Sequence, residues 1–158
     1  MTKYVGRFFT DDEFVCRNCG TGRVHQRLVE ILDAARTALG PLEITSGVRC
    51  HDPGRCTHNR DIGGRKSSYH IPQTTAVNSG HIDLGLAADV TFCRRSLRQP
   101  INILRLYITL ERFAHPTPIG LGIYPTWVHI DVRSLATGRG ATPGAARWEE
   151  HFPYPRLK

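Results

Sequence analysis

Long hydrophobic runs are missing from this chain: no stretch approaches the roughly 20 apolar residues that a bilayer-spanning helix needs. A membrane-spanning helix is excluded as its organising element. The first residues, MTKYVGRFFTDDEFVC, carry one early lysine but no apolar segment ahead of their acidic residues. They do not read as a secretory signal, and the expectation is a chain that starts in the cytoplasm. Cysteine is also short, because five in 158 residues are too few for disulfides to carry the fold. Acidic residues are outnumbered, 14 against 21 basic, for a net charge of +7 that suits an anionic partner: nucleic acid, a membrane surface or a wall polymer. Dense basic runs are absent too. The longest cluster is CRRSLR, which favours a solvated basic surface over a dedicated nucleic-acid groove.

What is present has the balance of a soluble globular protein, 40% hydrophobic and 22% charged. At this length one domain over residues 1–158 is expected, large enough to bury a core. Between Val24 and Leu39 the apolar positions Val24, Leu28, Ile31, Leu32, Ala35 and Leu39 fall three or four apart and predict an amphipathic helix, stopped by Gly40-Pro41. LEITSG predicts a strand turning at Gly47, which puts Arg49 just past a strand end. From His51 to Leu84 no period is sustained, and the Gly, Pro, Asn, Asp and Ser content predicts a long functional loop. AADVTF is a second strand. SLRQPINILRLYITLERF is a second helix, with Ser96 as its N-cap and Pro100 near its first turn. IGLGIY and WVHIDVR form a hairpin, and the tail from Ser134 is Gly-, Ala- and Pro-rich with Trp148 as its anchor. This order predicts an α+β fold, a mostly antiparallel sheet with both helices on one face.

Chemistry concentrates on a few residues. In WVHIDVR a strand projects His129 and Asp131 to one side, and Val128, Ile130 and Val132 to the other. Asp89 is preceded by Gly85, Ala87 and Ala88, small residues that allow close approach. With a histidine from the preceding loop, His70 or His81, these residues make a His-Asp-His set. Three protein ligands with a fourth position left to water is the arrangement of a catalytic zinc site, and the expected cofactor is Zn2+. Cys16 and Cys19 in CRNCG have the shape of a zinc knuckle, whereas Cys50 and Cys56 are too widely spaced to form a matching one. A structural metal, a disulfide or reduced packed thiols all stay open for these four, and His58 is placed to join them if they bind metal. Cys93 is a lone thiol at a strand end.

Several blocks in one order resemble the zinc D-Ala-D-Ala peptidases and related phage endolysins, which share a fold with the Hedgehog signalling domain. They are FFTDDEFVCRNCG, the helix VHQRLVEILDAART, SGVRC (Ser46 to Cys50), His58-Asn59, Gly63-Gly64, Ser68 with His70, Gly85 with Ala87 to Asp89, GLGIY, then His129, Asp131, Arg133, Arg147 and Trp148. The resemblance runs from about Phe8 to Trp148. It implies a Hedgehog/DD-peptidase-like α+β fold and the metal ligands His70, Asp89 and His129. His70 has the family distance from the double glycine but requires an insertion of about eleven residues before GLAAD, an insertion whose closure cost grows only logarithmically. His81 is one residue too far from Gly85, and a one-residue slip at a strand rim redirects the side chain. His81 is therefore expected on a surface loop near the cleft.

Peptide hydrolysis also needs a proton shuttle and positive charge near the developing oxyanion. The family's acidic residue three positions before the last histidine is Thr126 here, so Asp131 is the expected substitute, with an orienting role as the competing reading. The resemblance assigns Arg49 to substrate or transition-state contact, against a structural salt bridge to Asp52 or Asp61. Ser68 and Tyr69 are candidate substrate donors, against simple turn chemistry. The expected function is a zinc metallopeptidase of bacterial peptidoglycan, a D-Ala carboxypeptidase or an endolysin-like cross-link endopeptidase. Its expected partners are peptidoglycan stem peptides, with no nucleic acid, no membrane and a monomeric state. It would reach the wall by phage-type release. The alternatives are a non-catalytic zinc-containing binding module of the same fold and, more weakly, a nucleic-acid binder built on the CxxC turn.

Overall fold

The structure is a computed structural model that describes residues 3–51, 56–65, 67–77, 80–137 and 144–150, without the side chains of Val77 and His81. Helix α1 runs over Gln26–Leu39. It starts two residues later than the apolar spacing predicts because Val24 bridges to Gly85 and the His25 ring caps the helix, accepting from the Arg27 N–H at 3.1 Å. Its end is as expected: Gly40 takes a φ of +88, in the region that glycine tolerates and most residues do not. Strand β1 covers Leu42–Ser46, and the short helix α2 covers His58–Asp61.

Strands β2, Gln73–Val77, and β3, Gly80–Leu84, pair as an antiparallel ribbon. The long loop expected over His51 to Leu84 is thus corrected: it contains a helical turn and a hairpin. Each strand is only five residues long: QTTAV mixes polar with apolar residues on both faces, while the alternation of His81, Ile82, Asp83 and Leu84 is too short to stand out beside its Gly- and Asn-containing flanks. His81 lies in β3, with its backbone opposite Ala76.

Strand β4, Ala87–Phe92, is followed by a 3-10 turn at Arg95–Leu97 and by helix α3, Pro100–Ala114. Ser96 belongs to that turn and is not the N-cap of α3, a second correction. The N-cap is Gln99, and Pro100 occupies the first turn, where its missing N–H costs no helical hydrogen bond. Strands β5, Gly120–Ile123, and β6, Val128–Asp131, form the expected hairpin, and β7, Ala146–Glu149, adds in parallel to β5.

The main sheet has the order β1-β4-β6-β5-β7, antiparallel except for the last pair, so the chain is a mixed α+β structure. Alternation gives this sheet two unlike faces. Leu42, Ile44, Ala88, Val90, Phe92, Leu121, Ile123, Val128 and Ile130 join one core with Leu28, Leu32 and Ala35 of α1 and with Ile103, Leu106 and Leu110 of α3. The other face carries Asp89, Thr91, His129 and Asp131, all polar and all buried or half-buried. The helices therefore stabilise the sheet from behind while its front is left for polar chemistry. No helix among the described residues is long and apolar enough to cross a membrane.

Candidate active site

Register creates the front-face cluster. Strands β4 and β6 are antiparallel neighbours with Asp89 directly opposite His129, so the two side chains emerge side by side. His129 Nδ1 lies 2.9 Å from Asp89 Oδ1. A loop supplies the third member. His70, 1% exposed, places Nε2 at 3.2 Å from Asp89 Oδ1 and at 3.2 Å from His129 Nδ1.

That loop is built by the residues before it. Buried Asn59 donates its amide to the Gly64 and Arg65 carbonyls at 3.1 and 3.2 Å, and Gly63 turns the chain at a φ of +71. A side chain at Gly64 would collide with Asn59, which explains why the double glycine accompanies His58-Asn59. Ser68 then accepts from the His70 backbone N–H at 3.3 Å, which places its hydroxyl in the turn leading to the histidine.

Each ring is oriented by its outer nitrogen. His70 Nδ1 lies 2.6 Å from the Gly47 carbonyl, which can only accept, so Nδ1 carries the proton and Nε2 turns a lone pair inward. His129 Nε2 lies 3.1 Å from Asp131 Oδ2, with the same consequence for Nδ1. Asp131 is itself fully buried and receives the Arg133 guanidinium at 2.7 Å on each carboxylate oxygen. Arg49 donates through Nη2 to Asp89 Oδ2 at 2.6 Å and through Nε to Ser46 Oγ at 2.8 Å. Its ion pair is thus with Asp89, while Asp61 is engaged by Thr57 and Arg60. Asp52 falls outside the described residues.

The electrostatics follow from this wiring. Burial lowers the His70 pKa, against the opposing pull of Asp89. Burial alone would lower that of His129 as well, but its bonds to Asp131 and Asp89 outweigh burial and raise it to about 9. Asp89 is held well below the usual carboxylate range, because its bonds to His129 and His70 outweigh the cost of burial. Asp131 is lowered to about 2 in the same way, by Arg133 and His129 against burial.

Without a cation, the raised pKa of His129 keeps a proton on Nδ1 beside Asp89 at neutral pH; once that proton leaves, three acceptors face one another: His70 Nε2, Asp89 Oδ1 and His129 Nδ1. Such a set repels unless a proton or a cation lies among its members. A tetrahedral zinc bonded at about 2.0–2.1 Å holds its nitrogen and oxygen donors about 3.3 Å apart. The observed edges of 3.2, 3.2 and 2.9 Å match that triangle, so the residues present fit a metal ion with a fourth position free.

The family model for Peptidase M15 matches residues 7–131, well over half of the 158 residues. The chain belongs to the peptidase M15 family. Neither the curated proteins nor the solved structures contain a match to it. M15 members are peptidases, typically zinc-dependent, and the matched segment contains His70, Asp89, His129, Arg49 and Asp131.

This M15 site also uses residues to which the sequence assigned no part in the chemistry. Gly47 acts through its carbonyl, which no side-chain pattern reveals. Arg133 clamps Asp131, and the HxDxR spacing was the available signal. Trp148 lies beyond the matched segment, yet its ring is 5.2 Å from that of His129, and its Nε1 donates to the Tyr124 hydroxyl at 3.1 Å. Gly122 makes room for that indole, and Gly120 for the Asp131–Arg133 pair, which explains the two glycines of GLGIY. The cysteines separate by sequence but not in space. The widely spaced Cys50 and Cys56 join Cys16 and Cys19 in a second cluster, all as free thiols.

Proposed function

We propose that this M15 chain is a zinc metallopeptidase of bacterial peptidoglycan, with a Hedgehog/DD-peptidase-like fold, cutting a terminal D-Ala or a peptide cross-link. The observation that carries the reading is the convergence of His70, Asp89 and His129 on one point with tetrahedral edge lengths. These three residues would hold the ion. When bound, zinc supplies a hydroxide at neutral pH and polarises the scissile carbonyl.

The chain's own residues do the rest. Asp131 orients His129, because both of its oxygens are committed to Arg133 and His129 and its side chain is sealed from substrate. This geometry favours the orienting role over that of a base. Arg49 positions Asp89 and, with two of its five N–H donors taken by Ser46 and Asp89, keeps others for a substrate carboxylate or oxyanion. Thr126, exposed in the β5–β6 turn, has no ionisable group, so proton transfer falls to other groups at this rim, where the Tyr124 hydroxyl accepts from Trp148 Nε1 and interacts with Glu150. The net charge of +7 favours delivery to an anionic wall.

The second reading, a zinc-containing binding module, draws its support from Thr126 and from the sealed Asp131. Metal content and hydrolysis of peptidoglycan stem peptides, measured on wild type, His70→Ala and His81→Ala, separate the two. The enzyme reading expects wild type and His81→Ala to cleave and to bind metal to the same stoichiometry, and His70→Ala to lose cleavage together with the one equivalent held by His70, Asp89 and His129. Presence of that equivalent in wild type without cleavage would transfer the assignment to the binding module.

A further inference from the structure

Independently of that reading, we propose that Cys16, Cys19, Cys50 and Cys56 form a second, closed zinc site of structural type. Its ion pins the arm that orients the active-site residues. The four Sγ atoms all lie within 4.8 Å of one another. Cys16 and Cys56 approach to 3.7 Å, and Cys19 and Cys50 to 3.3 Å. A tetrahedral ion with Zn–S bonds of about 2.3 Å sets its sulfurs about 3.8 Å apart. Two disulfides would account for two of the six sulfur pairs and leave the compactness of the other four unexplained.

Local backbone supports the same assignment. The Cys16 N–H donates to the Thr21 carbonyl at 2.8 Å and the Gly20 N–H to the Cys16 carbonyl at 2.7 Å, while Gly20 takes a φ of +66. That left-handed turn folds the Cys16 and Cys19 thiols toward one point, as a zinc knuckle does. Polar groups surround the sulfurs as they would surround thiolates: Thr21 Oγ1 at 3.0 Å from Cys19 and 3.7 Å from Cys50, and His58 Nδ1 at 3.3 Å from Cys16.

The consequence for the active site is a matter of connectivity. Cys50 ends the arm that begins at β1. Within that arm, Gly47 gives its carbonyl to His70, Arg49 holds Asp89, and Val48 packs with Cys16 and Cys56 in a small separate core. Val48 sits against Gly22 and Gly85, and its N–H donates to the Phe14 carbonyl at 2.7 Å. An ion at the cysteines would fasten both ends of this short path.

The test is cobalt(II) titration and zinc analysis of the full-length, reduced chain under anaerobic conditions, on wild type and on His70→Ala/His129→Ala. The proposal expects two zinc ions per wild-type chain and one in the double variant. It also expects a thiolate-to-cobalt charge-transfer band that saturates at one equivalent in both proteins. Nitrogen and oxygen ligands cannot produce that band, so it survives even if the peptidase reading fails. Reduced wild type without the band would overturn the proposal. Retention of the full band in Cys16→Ser/Cys19→Ser would also overturn it.

Discussion

At the scale of single residues, the candidate site is a set of groups made dependent on one another by burial. Asp131 shows this most clearly. Its folded pKa of about 2 lies below the usual carboxylate value, so it contributes stability above about pH 4 and loses it as pH falls toward 2. A shift of this size corresponds to roughly 2 kcal/mol. In chelator-treated protein, Asp131→Asn should lower stability by about that amount near pH 6, with the gap to wild type closing as the pH approaches 2. Urea unfolding midpoints across this range measure it. A gap independent of pH would show that the carboxylate charge is not what His129 and Arg133 require.

At the scale of elements, the β5–β6 hairpin does more than present His129. Its partner strand has glycines at both positions facing the polar side, opposite Asp131 and His129. Into that space fit the Asp131–Arg133 pair and the Trp148 ring from β7. Gly122→Ala should therefore displace the indole and destabilise the chain by roughly 1–3 kcal/mol, the usual cost of overpacking. Gly40→Ala, whose Cβ would meet nothing within 4 Å, tests backbone strain alone because Gly40 has positive φ. Thermal unfolding compares the two. The specific expectation is that only Gly122→Ala changes Trp148 fluorescence.

At the scale of the whole molecule, the sheet divides the chain into a structural back and a chemical front. Helices α1 and α3 pack on each other behind the strands, where Arg27 of α1 also donates to the Phe113 and Ala114 carbonyls at the end of α3. The positive charge belongs to this scale, since no single run carries it. Association with insoluble peptidoglycan should weaken steadily between about 50 and 500 mM salt, as screening shortens the reach of the basic surface. Cleavage of a short neutral stem peptide should change little. Pelleting assays and peptide hydrolysis over one salt series read both, and salt-independent pelleting would remove charge from the account of wall binding.

The sequence by itself determined the two helices, strands β1, β4, β5 and β6 of the main sheet and the facing of His129 and Asp131, but not β7, which lies in the Gly-, Ala- and Pro-rich tail. Those features follow from periods of 3.6 and 2, and each is local. It also placed Asp89 among small residues, and the resemblance chose His70 over His81. Local pattern was silent where partners are distant in the chain. The β2–β3 ribbon was hidden because its strands are only five residues long and QTTAV does not alternate, and the α3 cap because Ser96 lies in a separate turn. Only the tertiary structure put Asp89 opposite His129, turned the Gly47 carbonyl onto His70, gave Arg49 to Asp89, and closed Cys50 and Cys56 onto the knuckle. Strand register and loop closure decide those meetings, and both are set by burying one face of the whole sheet, a quantity that no short stretch of sequence contains.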